Sequence, residues 1–256
     1  MDQNIKKPKV SVLMPAYNSE AYLKEAIQGV LTQDFTDFEF IIVDDASNDK
    51  SSQVIKSFAD NRIEFIQNAH NVGCIASLNE GMKKARGEYI ARIDSDDIWI
   101  DKKKLSKQVA FLDTHPEYGL IGTYAHVIDD SGKTIAQMNF PTENTAIRNK
   151  MLVKNCIVNS SVTFRIKLWQ SCGPYRSDEL YAEDYGLWLR IGSVSKLVNI
   201  PEYCVAYRIH KNGATQKHNL KQTKTSLLVV QRNRKEYPNY ALGLLKWRIK
   251  ILLGSI

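Results

Sequence analysis

The chain alternates apolar and polar stretches whose lengths and periods name its elements. K-V-S-V-L-M-P-A-Y-N (9–18) is an apolar run stopped by Pro15 and a polar turn, the pattern of a strand. Residues 19–33 repeat apolar side chains at helical spacing, with Tyr22, Leu23, Ala26, Ile27, Val30 and Leu31 on one face and Ser19 placed to cap them. F-E-F-I-I-V-D-D (38–45) is nearly unbroken in apolar character, as expected of a strand buried on both faces of a parallel sheet. A polar loop at 46–52 runs into a helix at about 51–60, followed by a strand at 62–68 and a helix at 74–86 that ends before Gly87. E-Y-I-A-R-I-D (88–94) closes the series as a fourth strand. The order β-α-β-α-β-α-β predicts an α/β fold with a doubly wound parallel sheet. Ligands of such sheets bind beyond the carboxyl ends of the strands, so the polar segments 15–18, 44–45 and 94–97 are expected on one rim.

Beyond residue 100 the pattern is less regular. It predicts a helix at 102–114, a hairpin of 119–130 with 133–138 around Ser131-Gly132, and a strand at 159–165. A helix at 183–191, a short strand at 196–200 and two tail helices at 217–235 and 240–253 follow.

Length changes the picture little: 256 residues suffice for one sizeable α/β domain or two small ones. No run of eighteen apolar residues predicts a transmembrane helix, and the stretch M-D-Q-N-I-K-K-P-K lacks the apolar region of a secretory signal. Cysteines at 74, 156, 172 and 204 form no C-x-x-C pair, which argues against zinc and a disulfide framework. A reduced, cytoplasmic protein is the expectation. Charge adds more. The net charge is +7, and residues 210–256 hold ten Lys or Arg against one acid, Glu236. Any anionic partner therefore belongs mainly to the tail. Residues 239–256 mix Leu, Ile and Trp with Lys246, Arg248 and Lys250, which suits a membrane interface, or packing on the domain or on a second subunit. The basic residues lie among aliphatics rather than aromatics and form no nucleic-acid motif, so no nucleic acid is expected.

The candidate chemistry is acidic. Asp94-Ser95-Asp96-Asp97 crowds three carboxylates at a strand end. Such a cluster suits a hard divalent cation, Mg²⁺ or Mn²⁺, held with substrate phosphates, or else a solvated loop or helix cap. Asp44-Asp45 fits a turn, or an acceptor for nucleotide hydrogens. Tyr17 offers a flat face for a base or for plain packing. The phosphate-cradling glycines of dinucleotide folds and P-loops are missing after Met14, where P-A-Y-N stands. Glu183 and Asp184 suit the positive end of a helix, or a general base. His210 is a metal ligand, a phosphate contact or a surface histidine.

In this order, V-S-V-L-M-P-A-Y-N, I-I-V-D-D-A-S-N-D, N-V-G, G-E-Y-I-A-R-I-D-S-D-D, A-E-D-Y-G-L-W-L-R and Y-R-I-H-K-N-G-A-T resemble the inverting glycosyltransferases of family 2, from about Lys9 to Thr215. They look most like bacterial enzymes of O-antigen, capsule and lipooligosaccharide synthesis. The resemblance implies a GT-A fold over 1–215. Its Rossmann-like nucleotide-binding half would span 9–100 and carry a mixed central sheet; its acceptor and catalytic half would span 101–215, with a helical tail at 216–256. It implies that Pro15, Ala16 and Tyr17 hold the nucleobase, that Asp45 accepts its imide hydrogen with Asp44 beside it, and that Asp94 lies near ribose and metal. Asp96 would bind Mn²⁺ or Mg²⁺, His210 would reach metal or diphosphate, and Asp184 would be the catalytic base. The donor implied is a nucleotide-sugar, a UDP-sugar first among the carriers. The acceptor is a glycan or lipid-linked glycan, and the location is the cytoplasm or the inner face of the membrane. I-D-K-K-K-L (100–105) departs from the more usual I-P-D-K-L, which leaves the next helix start open. The rival reading is a nucleotide-sugar-binding protein without transferase activity. A nucleotidyltransferase would want a Gly-rich, Lys-containing loop after the first strand.

Overall fold

A computed structural model describes residues 7–254. Nine strands form one mixed sheet in the order β3-β2-β1-β4-β8-β6-β9-β5, with β7 paired to β6 outside that path. The first half follows the sequence pattern closely. β1 (Val10–Ala16), α1 (Leu23–Leu31), β2 (Phe38–Asp44), α2 (Ser51–Lys56), β3 (Ile63–Gln67), α3 (Cys74–Lys84) and β4 (Tyr89–Arg92) alternate as expected. β1 runs parallel to both β2 and β4, and β2 parallel to β3. Every residue of β2 is buried, which is why that stretch needs no polar alternation.

Successive residues of these strands feed two cores. Leu13, Ile41, Val43 and Ile90 face α3, whereas Val12, Met14, Phe40, Ile42 and Ala91 face α1 and a later helix, α4 (Lys104–Thr114). Between β4 and α4 lies the two-residue strand β5 (Ile98–Trp99), which pairs antiparallel with a distant strand at Val205–Ala206. After α4 come the hairpin of β6 (Tyr118–Ile128) and β7 (Thr134–Met138), α5 (Asn144–Met151), β8 (Thr163–Arg165), α6 (Ile166–Cys172) and α7 (Glu183–Val194). β9 (Lys196–Arg208), α8 (Ala214–Lys217), α9 (Asn219–Arg232) and α10 (Tyr240–Leu252) complete the chain.

Several boundaries differ from the sequence expectation, each for a tertiary reason. Ser19 does not cap α1. Its carbonyl instead closes a turn with the Tyr22 and Leu23 amides, while the loop 47–51 binds the Asn18, Ser19 and Glu20 amides. The strand expected at 196–200 continues to Arg208, because its parallel partner β6 is long enough to pair with both its ends, with irregularities at Tyr118/Leu120, Thr123/Tyr124 and Tyr124/Ala125. Residues 159–161 form a 3₁₀ turn before β8. α4 starts at Lys104, after a turn in which Asp101 accepts the Lys103 amide. α5 buries only Ile147 and Met151 and α6 buries no side chain fully, and the sequence reading omits both.

The tail helices add Val229, Val230 and Trp247 to the same core as Leu13, Trp188 and Leu197. α10 lies so close to the end of α5 that a Cβ at Gly243 would meet the Leu152 carbonyl oxygen at 2.4 Å. The Trp247 indole donates to the same carbonyl at 2.9 Å. Gly243→Ala is therefore expected to cost about 1–3 kcal/mol, read as a lowered Tm. An unchanged Tm would show that α10 is not seated there.

Candidate functional site

The carboxyl ends of β1, β2 and β4 form one rim because the three strands are parallel neighbours. At the end of β1, Pro15 and Ala16 bring Tyr17 into the open, 47% exposed. Ala16 is buried, pairs with Asp44 in register, and its carbonyl accepts the Asp45 amide. Asp44 and Asp45 are buried and hold loops. Asp44 accepts from the Ser47 amide at 3.1 Å and the Ser47 hydroxyl at 2.5 Å. Asp45 accepts from Asn68 Nδ2, the Val72 amide and the Gly73 amide at 2.8, 2.9 and 2.8 Å. A carboxylate has about four acceptor positions, so Asp45 retains room for one further donor. The N-V-G stretch is thus tied to the second strand end through this one acid.

The three acids of Asp94-Ser95-Asp96-Asp97 have different environments. Asp94 accepts from Arg92 Nη2 at 2.8 Å and from Asn159 Nδ2 at 2.8 Å, and its amide donates to Ser160 Oγ at 3.0 Å. Asp97 is buried. It accepts the Arg208 amide at 2.8 Å and the Ser160 hydroxyl, and burial together with Asp96 and Asp94 holds its carboxyl well above the usual range. Asp96 is different: its Oδ2 lies 3.0 Å from His210 Nε2, its only side-chain partner among the described residues, and its side chain is 30% exposed. So the sequence-distant His210 stands against Asp96, delivered there by the long β9. Tyr22 packs edge-on against the His210 ring at 4.8 Å.

Asp94, Asp96 and His210 fit a hard cation in chemistry, with oxygen and imidazole donors. They form no ready three-atom cage. Among the described residues, Asp101, Glu202 and Cys204 alone bring three ligand atoms within 4.8 Å of one another, and the Lys107 ammonium already stands there, 2.8 Å from Asp101. A cation at Asp96 and His210 would need phosphate oxygens or water to complete its shell, the habit of Mg²⁺ and related ions.

Glu183 and Asp184 open α7, and Asp184 shares a cleft of about 360 Å³ with Asp94, Asn159 and Tyr207. Both acids are held above their ordinary range. Burial is the first cause for each, followed for Glu183 by the Asp184 charge, whereas the Tyr185 amide at the helix start pulls Asp184 back down. Glu183 is thereby pushed higher than Asp184, and its Oε2 is buried with no partner among the described residues. The Asp94 charge raises both acids and the Arg92 charge lowers both, so the strand end and the helix start act on one another. Cys74, on the same cleft wall, feels Glu183, Arg92, Asp94 and Asp45 together. Tyr207, also in the wall, feels Asp97, Asp96 and Asp94. Of the rim acids, Asp94 lines this cleft with Glu183 and Asp184, whereas Asp44, Asp45, Asp96 and Asp97 stand outside its lining.

Four residues escape the sequence reading. Arg92 is fully buried, donates to the Leu13 carbonyl at 2.8 Å, and is the cation that lets acids gather here. It stands within A-R-I-D, where a strand position gave no sign of a buried charge. Asn159 and Ser160 orient Asp94 and Asp97 from a 3₁₀ turn whose sequence, N-S-S, reads as part of a strand. Tyr181, with φ of 72°, turns the chain into Glu183; its ring stacks on His218 and its carbonyl accepts from Gln222 at 3.0 Å. No local motif announces that contact.

Comparison with known proteins agrees with this geometry. A family model described as glycosyl transferase family 2 matches residues 11–169. An uncharacterized glycosyltransferase of Haemophilus influenzae is 31% identical over 247 residues, spanning 91% of this chain and 75% of the relative. WfgD of Escherichia coli, a UDP-Glc:alpha-D-GlcNAc-diphosphoundecaprenol beta-1,3-glucosyltransferase, is 31% identical over 210 residues, spanning 80% and 78%. In fold, the chain is similar to S. aureus TarS in complex with UDP-GlcNAc, at a TM-score of 0.75 and 22% identity over 94% of this chain and 73% of that one. It is also similar to the mannosyltransferase PcManGT of Pyrobaculum calidifontis in complex with GDP-Man and Mn²⁺, at 0.72 and 17% over 98% and 72%. The fold is GT-A, and the chain belongs to glycosyl transferase family 2.

Proposed function

We propose that this protein is a metal-dependent, inverting glycosyltransferase. It moves a hexosyl or N-acetylhexosaminyl group from a nucleotide-sugar, a UDP-sugar first among the candidates, to a hydroxyl of a glycan or lipid-linked glycan in bacterial surface polysaccharide synthesis. The observation that carries the reading is the single cleft in which a strand-end acid, Asp94, faces a helix-start acid, Asp184, over the buried Arg92.

Tyr17 and Asp45 would take the base, Tyr17 as an open flat face and Asp45 with one acceptor position left. Asp94, oriented by Arg92 and Asn159, faces the ribose and diphosphate. Asp96 and His210 would hold the cation, with the remaining lone pairs of Asp94 nearby. Such an ion supplies positive charge that stabilises a departing diphosphate. Asp184 accepts the proton of the attacking hydroxyl. The new bond forms between that oxygen and C1 on the face opposite the diphosphate. The C1–O bond to phosphate breaks, and its electron pair leaves with the nucleoside diphosphate, so the anomeric centre inverts. Glu183, pushed higher than Asp184 by burial and by the Asp184 charge, holds its proton more firmly, so the base role is assigned to Asp184.

Nucleoside diphosphate release from a panel of nucleotide-sugars, with and without Mn²⁺, tests this reading. Because Asp184 works as a base and its carboxyl is held up, release should be slow at acid pH. It should climb to a plateau only above the ordinary aspartate value of about 4. No release from any donor, with nucleotide-sugar binding retained, would leave only a binding protein. A rate flat across acid pH would remove Asp184 as the base.

A further inference from the structure

The two faces of α10 differ. Gly243 and Trp247 press against Leu152 and are buried. Leu242, Leu245, Ile249, Leu252 and Leu253 are 56, 57, 44, 84 and 60% exposed. At 3.6 residues per turn these five fall on one stripe of about 100°. Lys246 borders the stripe on one side and Arg248 on the other. Large apolar side chains rimmed by cations are costly to leave in water.

Beside this stripe is a cavity of about 400 Å³ between α10 and the end of α5. Phe140, Val153 and Leu242 give it apolar wall, and Lys150, Lys154 and Lys246 line it as well. Among the described residues none of these lysines has a carboxylate partner. Lys154 lies over the Phe140 ring, 5.1 Å from its centroid. Burial and the charges of Lys154 and Lys250 hold Lys246 below the ordinary lysine range. Three lysines around a partly apolar pocket, none paired with a carboxylate among the described residues, suit an anion. Phe140 also lines the cleft of Asp94 and Asp184, so the two cavities share a wall.

We propose that α10 docks this protein on an anionic phospholipid surface, with a lipid phosphate seated among Lys150, Lys154 and Lys246 and the leucine stripe in the acyl boundary. The charge is complementary, and the stripe continues directly from the cavity mouth at Leu242, so headgroup and chain have adjacent places. Among the described residues no helix is long and apolar enough to cross a membrane, so this contact lies along the surface. Docking in this pose places the acceptor side of the cleft, beyond Phe140, at the bilayer. That consequence rests on the transferase reading; the docking itself does not.

Sedimentation with two kinds of vesicle tests it, phosphatidylcholine alone and phosphatidylcholine with phosphatidylglycerol. The full chain is expected to pellet with the anionic vesicles and to be released by salt. Lys150→Gln, Lys154→Gln and Lys246→Gln together should weaken that binding on the order of a hundredfold, at roughly fivefold per lysine. Leu245→Asp with Leu252→Asp should abolish it. Nucleotide-sugar binding by each variant, unchanged, shows that the fold is kept. Equal pelleting with both vesicles, or lysine variants that pellet like the parent, would overturn the proposal. So would inorganic phosphate raising the Tm through the three lysines while no vesicle binds, since the site would then serve a free anion. A parent chain that binds vesicles but no nucleotide-sugar would sink the proposed function and leave the docking intact.

Discussion

Asp184→Asn is expected to lower transfer by roughly 10²–10⁴-fold while leaving donor affinity within about twofold. That loss corresponds to about 3–5 kcal/mol of transition-state stabilisation. The amide keeps the shape of the side chain and one acceptor for the Tyr185 amide, so α7 should start where it does now. It cannot take a proton from the acceptor hydroxyl. Steady-state kinetics with a competent acceptor, together with titration of the donor, separates the two quantities. The neighbouring acid is the internal comparison, because Glu183 is pushed further up and lacks a partner for Oε2 among the described residues. Should Asp184→Asn turn over like the parent while Glu183→Gln does not, the proton goes to the other acid.

Asp96→Ala is expected to remove most of the gain in donor affinity that Mn²⁺ provides, on the order of tenfold to a hundredfold. Asp96 is the acid of the 94–97 cluster with the fewest protein partners: Asp94 is occupied by Arg92 and Asn159, and Asp97 by the Arg208 amide and Ser160. An acid left with one histidine neighbour at an open position is the one free to accept a cation. Calorimetry of a nucleotide-sugar with and without Mn²⁺ measures the effect, and the metal-free affinity should barely move. An undiminished Mn²⁺ enhancement in the variant would place the ion elsewhere. His210→Ala should give the same pattern more weakly, since it removes the second donor of the pair.

Much of the fold was legible from local pattern. The unbroken apolar run of β2 and the helical spacing after β1 follow from burial alone, and burial acts on each stretch independently of the rest. The rim was legible for the same reason, because parallel strands must end on one side. The exposed apolar stripe of α10 was half legible: its cations and leucines could be counted, but which of them face out depends on where Gly243 meets Leu152. Ser19 reads as a cap and is not one: its carbonyl, not its hydroxyl, takes the Tyr22 and Leu23 amides, and its own amide is held by Ser51 of the loop at 47–51.

By itself, then, the sequence determined the alternation of elements, the acids at the strand ends, and the identity of the groups able to carry charge or a proton. Only the tertiary structure decided their partners. It joined His210 to Asp96 across 114 positions, put Arg92 under the acids as a buried cation, and turned Asn159 and Ser160 toward Asp94 and Asp97. The physical reason is that periodicity reports which side of an element is buried. The partner across a cleft is set by how distant elements pack, and no local pattern encodes that.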